Sequence, residues 1–261
     1  MHAPDPAYDL WDVDDPVASE ARFREAAAQA LSPAREVLLS QVARALGRQQ
    51  RYDEAHAVLD SLGEPSPEVR VRRLLERGRL LRSAGEPEAA RPAFAETVAL
   101  ARGAGLEALE IDAMHMAALV APVEEQVPAT QRALARAREC HDTRARDWDA
   151  SLLTNLGMAH VERNDWRAAL AAFDAAMTAR ARIGEDERTR VARWMVGWAL
   201  RNLGSIDAAL DVQRTLKEDL DELGLEDPYV DEELALLESL MANIDDLEQP
   251  GPDGQPRTDG D

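Results

Sequence analysis

The sequence predicts an all-α protein built from consecutive helix pairs. Aromatic residues make up only 4% of the 261 residues, so a core must be packed mainly by Ala, Leu, Val and Met. Alanine and leucine are strong helix formers, and runs of the β-branched and aromatic residues typical of strands are hard to find. The third observation is repetition: helix-length segments recur with the same residue types at the same spacing. Together these observations favour stacked helices.

Charge and cysteine content limit the partners and the compartment. Of the net charge of −20, residues 1–30 carry −5 (seven acids, two arginines) and residues 218–261 carry −15 (sixteen acids, one arginine). Residues 31–217 are therefore neutral, and acidic ends disfavour nucleic acid or a membrane surface as partner. A single cysteine, no basic apolar leader and no run near the ~20 apolar residues of a membrane helix lead us to expect a cytoplasmic protein.

The first elements are an acidic tail and two helices. Residues 1–16 read as a flexible tail, and residues 17–30 as a leading helix. Residues 32–46 form the first helix of a pair, for which Ser32 is the predicted N-cap and Pro33 the first helical residue. Ser66 and Pro67 are predicted to open the next pair in the same way.

Three later segments repeat one pattern. Each has a glycine in its first helix, a break at GEP, ND or GS, and an alanine twelve positions after the glycine. In two of them a phenylalanine follows the alanine by four positions, so that a large side chain fills the gap where the glycine lets the helices cross closely. The segments are residues 74–98 (Gly78, Ala90, Phe94), 152–177 (Gly157, Ala169, Phe173) and 191–216 (Gly197, Ala209).

The spacing of the glycines locates a further pair. Gly157 and Gly197 are 40 residues apart but Gly78 and Gly157 are 79 apart, which leaves room for one more unit. The stretch EIDAMHMAALVAPVEEQ, residues 110–126, supplies its first helix, with Ala117 at the small position and Ala129 as the second-helix alanine. Pro122 is predicted to end the first helix and Pro128 to lie near the start of the second. Upstream, Ala43, Tyr52 and Ala55 fit the same register.

The C-terminal part reads as a capping helix and a tail. Residues 229–247 carry one apolar stripe with acids elsewhere, which is the pattern of a helix that covers the end of a stack. The predicted stripe is Leu236, Leu237, Leu240, Ile244 and Leu247. Residues 248–261, rich in Pro, Gly and Asp, are expected to be disordered.

This pattern resembles the tetratricopeptide repeat over about residues 32–217. The resemblance implies a right-handed superhelical α-solenoid of antiparallel helix pairs over residues 17–247, with about five repeats plus the capping helix. The ~40-residue unit is longer than the usual 34 and is similar to a subclass found in peptide-sensing regulators and cargo adaptors. Two departures stand out: Gln213 replaces the large residue of the fifth repeat, and the third repeat lacks most signature residues.

The resemblance also implies that first-helix residues line a concave groove. Arginine binds carboxylates bidentately, asparagine pairs with extended backbone, and tryptophan and methionine give adaptable apolar contact. Gln41 and Glu76 also lie at first-helix positions that would line the groove. The residues that we single out are Arg44, Arg48, Arg72, Arg79, Arg82, Met114, His115, Thr154, Asn155, Met158, Trp194, Trp198, Arg201 and Asn202.

This inventory predicts a non-catalytic scaffold or adaptor that binds an acidic, apolar-anchored protein or peptide segment, with no cofactor and no metal. The alternative is a peptide- or small-ligand-sensing regulator. At the level of residues, the arginines are equally expected to form helix-surface ion pairs. For Trp194 and Trp198, which are four positions apart, a common face partly open to the groove is favoured over packing in the interior. Homo-oligomerisation through an exposed terminal repeat also stays open.

The N-terminal stretch AYDLWDVDDP, residues 7–16, resembles the ligand just described. It is acidic and has Tyr8, Leu10 and Trp11 as anchors. Two arrangements follow: the stretch folds into the arginine-rich half of its own chain or of a neighbour, or it packs locally on the leading helix.

Catalytic interpretations have weaker support. His115 lies near Glu110, Asp112 and Glu124, but no second histidine or cysteine lies within a turn to complete a helical zinc site. Cys140 and His141 are adjacent, and adjacent helical residues point roughly 100° apart. The stretch RGAGLEA, residues 102–108, has the spacing of a dinucleotide-binding turn without the preceding strand that such a turn needs.

Overall fold

The computed structural model describes residues 6–64 and 66–248, and these residues contain helices and no strand. The outer parts of the two predicted tails, residues 1–5 and 249–261, lie outside the described residues. The chain divides into two compact units, residues 1–148 (unit 1) and 149–261 (unit 2). The prediction of an all-α architecture of helix pairs is confirmed.

Unit 1 is a stack in which helices pack against their neighbours in chain order. Short loops between successive helices make each pair antiparallel. Its helices are α1 (Pro6–Asp9), α2 (Pro16–Gln29), α3 (Ala34–Arg48), α4 (Tyr52–Ser61), α5 (Pro67–Ser83), α6 (Pro87–Gly103), α7 (Glu107–Leu119), α8 (Val123–Glu139) and α9 (Thr143–Asp147).

Unit 2 follows the same plan. Two helix pairs precede the capping helix, which packs against the last pair. Its helices are α10 (Asp149–Glu162), α11 (Trp166–Ile183), α12 (Asp186–Asn202), α13 (Ile206–Glu222) and α14 (Pro228–Glu248). None of the described helices of either unit is long and apolar enough to cross a membrane.

The glycine, alanine and phenylalanine spacing predicted the helix crossings correctly. A Cβ atom added to Gly78 would lie 2.5 Å from Phe94 Cε1, and one added to Gly157 would collide with Phe173 in the same way. The second-helix alanines of all four regular repeats are fully buried (Ala55, Ala90, Ala169 and Ala209). Glycine is therefore required where the phenylalanine of the partner helix fills the crossing.

The breaks between helices end in residues with left-handed backbone conformation. Gly85 has φ 85°, Gly105 has φ 68°, Asn164 has φ 56° and Gly204 has φ 76°. Such residues terminate helices because they satisfy the last free carbonyls while the chain reverses. Gly105 thus ends α6 and leads into α7, which excludes a strand-to-helix turn at RGAGLEA.

The predicted register of the third repeat is wrong. Ala117 and Ala129 are only partly buried, whereas Thr130 is 2% exposed. His115 shares a pocket with Arg44 and Arg79, which each follow the small residue of their helix by one, so Met114 is the residue equivalent to Gly78. Thr130 then takes the position of Phe94: in this repeat the larger side chain is on the first helix and the smaller on the second.

The N-termini of α5 and α3 differ in how they are capped. Ser66 caps α5 as predicted, since its hydroxyl accepts the Val69 N–H at 3.3 Å. The Ser32 cap is wrong: α3 begins at Ala34, and the backbone carbonyls of Leu31 and Pro33 accept the N–H groups of its first turn.

The apolar face of the capping helix α14 differs from the predicted one. Leu237 is fully buried, but Leu236 and Ile244 are 42% and 39% exposed. Val230 is fully buried as well, so the face in contact with the stack is rotated towards Val230 and Leu234. The buried Glu233 on this face pairs with Arg201, which the hydrophobic stripe alone does not indicate.

Candidate functional site

Three helices of unit 1 enclose a pocket of about 230 Å³, and four arginines line it. Arg44 and Arg48 come from α3, Arg79 and Arg82 from α5, and His115 from α7. Residues three or four apart lie on the same face of a helix, so each arginine pair points at one place. The pocket therefore brings together five of the predicted groove residues. We call it the arginine pocket.

One of the four arginines is neutralised by a buried ion-pair network. Arg79 pairs with Glu76 of its own helix and with Asp112 of α7, and these two acids are 1% and 3% exposed. Burial acts to lower the pKa of Arg79, but the two carboxylates outweigh it and the pKa is raised. For Asp112, burial acts to raise the pKa, but the charges of Arg79 and Arg44 bring it below the ordinary value. Ion pairing, one of the two expected roles of the arginines, thus applies to Arg79.

The other three arginines have no carboxylate at ion-pair distance among the described residues. They are Arg44, which is half-buried, and Arg48 and Arg82, which are exposed at the rim. Burial, followed by the charge of Arg79, lowers the pKa of Arg44. The site contains four guanidinium groups and the two carboxylates of Glu76 and Asp112. Its net charge is therefore +2. Guanidinium groups in such numbers suit a carboxylate ligand.

His115 lies between these arginines and an aromatic ring. Its ring centroid is 5.1 Å from that of Trp148, and its Nδ1 is buried without a hydrogen-bond partner among the described residues. Burial and then the nearby arginines lower the pKa of His115 to about 4, although Asp112 acts in the opposite direction. His115 is thus neutral at pH 7 and a poor match for general-base catalysis, which favours a pKa near the working pH.

The chain's own N-terminal segment lies beside the arginine pocket. We use this name for residues 8–15. The indole of Trp11 donates a hydrogen bond to Gln41 Oε1 at 3.0 Å, and its ring packs edge-on against Phe23 at 5.2 Å. The guanidinium carbon of Arg44 lies 5.1 Å from the centre of the Trp11 ring, which is cation–π distance. Arg44 therefore contacts the segment and also lines the arginine pocket.

Further contacts fix both ends of the N-terminal segment. Arg48 Nη2 donates to the Val13 carbonyl at 2.6 Å. The Tyr8 ring lies near two guanidinium groups, those of Arg72 at 5.6 Å and Arg144 at 5.3 Å.

Backbone contacts hold the same segment on the leading helix α2. The Ser19 hydroxyl accepts from the Asp12 N–H and donates to the Asp12 carbonyl, each at 2.8 Å, and Arg22 donates to the Leu10 carbonyl at 3.0 Å. The two arrangements expected from the sequence, packing on the leading helix and contact with the arginines, thus occur together.

The predicted tryptophans of unit 2 share one face. Trp194 and Trp198 stack with ring centroids 5.8 Å apart and an interplanar angle of 19°. Trp198 also packs edge-on against Trp166 at 4.9 Å, and the Trp194 indole donates to the Tyr229 carbonyl at 3.1 Å. Both rings are half-buried and have partners within the unit, so their packing role is evident.

The polar candidates of unit 2 are mostly engaged in internal contacts. Arg201 pairs with Glu233 of the capping helix at 2.6 Å, and Asn202 donates to the Trp198 carbonyl at 2.8 Å. Thr154 donates to the carbonyl one turn earlier and accepts from Arg180. Asn155 Nδ2 is buried without a partner among the described residues, and Met158 is 37% exposed. Of these residues, Thr154 lines a small cavity of about 150 Å³ together with Arg180 and Met195.

Two predicted residues of unit 1 lie away from the arginine pocket. Met114 lines a separate cavity of about 370 Å³ between α6, α7 and α8, because it points about 100° away from His115 on the helix. Arg72 is 5% exposed and pairs with Glu68 at 2.8 Å, beside Tyr8.

Sequence reasoning missed two residues of the site and one role. Arg144 and Trp148 belong to the short α9 region, which extends the third repeat. The sequence signal for them was the stretch RARDW, residues 144–148, which places two arginines and a tryptophan between two repeats. Asp112 was considered only as a chemical partner of His115, whereas it binds Arg79.

The described residues offer little for metal or thiol chemistry. No group of three or more His, Cys, Asp or Glu side chains among residues 6–64 and 66–248 is placed to hold a metal ion. Cys140 is 4% exposed at the C-terminal end of α8, and burial raises its thiol pKa.

A model of the tetratricopeptide repeat family matches residues 150–183, which is the α10–α11 pair. Unit 2 therefore contains a tetratricopeptide repeat (TPR), and the other helix pairs of the described chain follow the same plan. No curated protein sequence matches this chain significantly.

Several solved structures are similar to this chain in fold. The apo form of RapI has a TM-score of 0.69 at 12% identity, over 89% of this chain and 68% of that one. BtubC (BKLC) from P. vanneervenii has a TM-score of 0.61 at 15% identity, over 84% and 94%. A putative kinesin light chain from Podosopora anserina with nearly identical TPR-like repeats has a TM-score of 0.56 at 15% identity, over 75% and 99%. At these identities the likeness concerns the fold alone.

Proposed function

We propose that this TPR protein is a non-catalytic scaffold or adaptor whose arginine pocket receives a carboxylate side chain from an acidic protein segment. The observation that carries the proposal is the set of three arginines, Arg44, Arg48 and Arg82, that have no carboxylate partner among the described residues. Solenoid proteins of this kind present extended surfaces to partners, and the TPR-like fold therefore supports a role as a protein-interaction scaffold. Binding by such a surface needs no reaction.

The size of the pocket supports a side chain as the bound group. Small-molecule sites in proteins have volumes of roughly 300–1,000 Å³. The arginine pocket has about 230 Å³ and is open on one side, which suits one acidic side chain of a longer segment. The remainder of the segment would then contact the exposed rim residues Arg48 and Arg82.

Fluorescence anisotropy with two labelled peptides tests the proposal. One peptide carries a tryptophan followed by aspartates, and the other has asparagine in place of each aspartate. We expect the aspartate peptide to bind about tenfold more tightly, because a hydrogen bond to a charged group is worth about 1.5–3 kcal/mol. Arg82→Gln should remove most of that difference.

Arg35→Gln is the matched control for the Arg82→Gln variant. Arg35 is an exposed arginine on α3 that does not line the pocket, so its substitution removes the same charge elsewhere. Equal affinity for the two peptides, or equal losses in the Arg82 and Arg35 variants, would refute a carboxylate-specific pocket.

One observation favours a second candidate, a regulator that senses a small ligand. Glu76 Oε2 and His115 Nδ1 are both buried without partners among the described residues, and both residues line the pocket. A small zwitterion offers a carboxylate to the arginines and an ammonium group to Glu76. Calorimetry with free glutamate separates the candidates: saturable binding comparable to that of the peptide favours the sensor, whereas binding that needs the peptide favours the scaffold.

A further inference from the structure

The N-terminal segment matches the proposed ligand in chemistry and lies on the same surface. It presents two aromatic rings three positions apart, Tyr8 and Trp11, and four aspartates between residues 9 and 15. Both rings lie against arginines, with Trp11 over Arg44 and Tyr8 near Arg72 and Arg144. The surface that holds it consists of α2, groove positions of α3 and α5, and α9.

The segment is short, and its acidic half is exposed to solvent. Apart from the four-residue helix α1, the segment makes no regular backbone pairing, and so short a helix has little stability of its own. Its hydrogen bonds to the rest of unit 1 include those of Trp11, Asp12, Val13 and the Leu10 carbonyl. Residues 12–15 are exposed. Exposed segments at a chain end open at lower free-energy cost than the helices of a core.

The resident segment contacts Arg44 and Arg48 through the Trp11 ring and the Val13 carbonyl, not through a carboxylate. None of its described carboxylates pairs with Arg44, Arg48 or Arg82. The Asp12 side chain instead accepts the backbone N–H groups of Asp14 and Asp15 at 3.2 and 3.3 Å. An incoming segment that seats a tryptophan on Arg44 and also places a carboxylate in the arginine pocket gains contacts that the resident does not make.

We infer that residues 8–15 are a displaceable internal ligand of the surface formed by the arginine pocket with Arg72 and Arg144, which we call the arginine surface. The partner carries a segment of the same kind, in which an aromatic residue and a tryptophan lie three positions apart and are followed by carboxylates. This inference rests on the proposed function, since it names the class of partner for the same site. The resident segment reduces the fraction of molecules that are open to the partner, and the apparent affinity falls by that fraction.

The test uses the full chain and a labelled peptide with the sequence of residues 7–16, AYDLWDVDDP, added in trans. Trp11→Ala in the protein removes the indole contacts with Gln41, Phe23 and Arg44. We expect this variant to bind the peptide at least about tenfold more tightly than the unsubstituted chain, because the site is no longer occupied by its own tryptophan. Val17→Ala, at a 61% exposed position just after the segment, is the control and should bind like the unsubstituted chain.

The outcomes separate the inference from the proposed function. If the unsubstituted chain and the Trp11→Ala variant bind the peptide equally well, the inference is overturned while an acidic-segment site stands. If neither binds although both are folded by circular dichroism, both ideas are overturned. Should Trp11→Ala not fold, Tyr8→Ala replaces it with the same expected direction.

Discussion

The depressed pKa of His115 gives a quantitative prediction about the arginine pocket. The folded-state value is about 4 against an ordinary value of 6.5. Between these two values the unfolded chain binds a proton at this position and the folded chain does not. The stability contributed by neutral His115 is therefore present above about pH 6.5 and is lost as the pH falls towards 4.

The size of the loss follows from the two pKa values. A shift of 2.5 units corresponds to about 3 kcal/mol in total, of which about 2 kcal/mol is lost already at pH 5. His115→Gln keeps a neutral polar side chain and removes the titration. The free energy of unfolding of this variant should thus fall less steeply between pH 6.5 and pH 4.5 than that of the unsubstituted chain. This holds even if the two proteins differ in stability at pH 7.

Nuclear magnetic resonance measures the same quantity directly. The chain has five histidines, and the Cε1–H resonance that disappears in His115→Gln identifies the one of interest. We expect it to titrate near 4 and to move upward when an acidic peptide is bound, because a carboxylate near His115 favours the charged ring. A midpoint near 6.5 would refute both the burial of His115 and its crowding by the arginines.

Three further predictions concern the fold that positions the site. Gly78→Ala should destabilise unit 1 by about 1–3 kcal/mol in urea denaturation, because its methyl group meets Phe94, whereas Gly103→Ala, with open space around it, should cost nothing. Arg79→Ala should cost about 3–5 kcal/mol in the same assay because it leaves two carboxylates buried without a counter-charge, and a loss under 1 kcal/mol would contradict the ion-pair network. Cys140 should react with a thiol reagent at pH 7 only after denaturant is added; rapid labelling of the native chain would contradict its burial.

The regular repeats were predictable because their packing rule is local. A glycine on one helix and a phenylalanine sixteen residues later report one helix crossing, and Gly78 with Phe94 and Gly157 with Phe173 follow that rule. The third repeat could not be placed by the same rule. Its crossing has Met114 where the others have glycine, and a slip of three residues keeps nearly the same helix face, so Ala117 was an equally good match.

The site was predictable as a set of positions but not as a set of interactions. Repeat spacing placed Arg44 and Arg79 at equivalent groove positions, and the pocket contains both. Which arginine is paired depends on Asp112, which lies 33 residues from Arg79 and approaches it only in the folded stack. Likewise the sequence offered two places for Trp11, and the structure shows that the leading helix and the arginine surface are adjacent, so one position satisfies both.

Amide hydrogen exchange of the full chain with and without an acidic, tryptophan-containing peptide tests the central claim most directly. The account predicts slower exchange in the pocket-lining parts of α3, α5 and α7, together with faster exchange in residues 8–15 as the segment is released. The account would be contradicted by a peptide that binds but changes exchange only in unit 2, or that leaves both the arginine pocket and residues 8–15 unaffected.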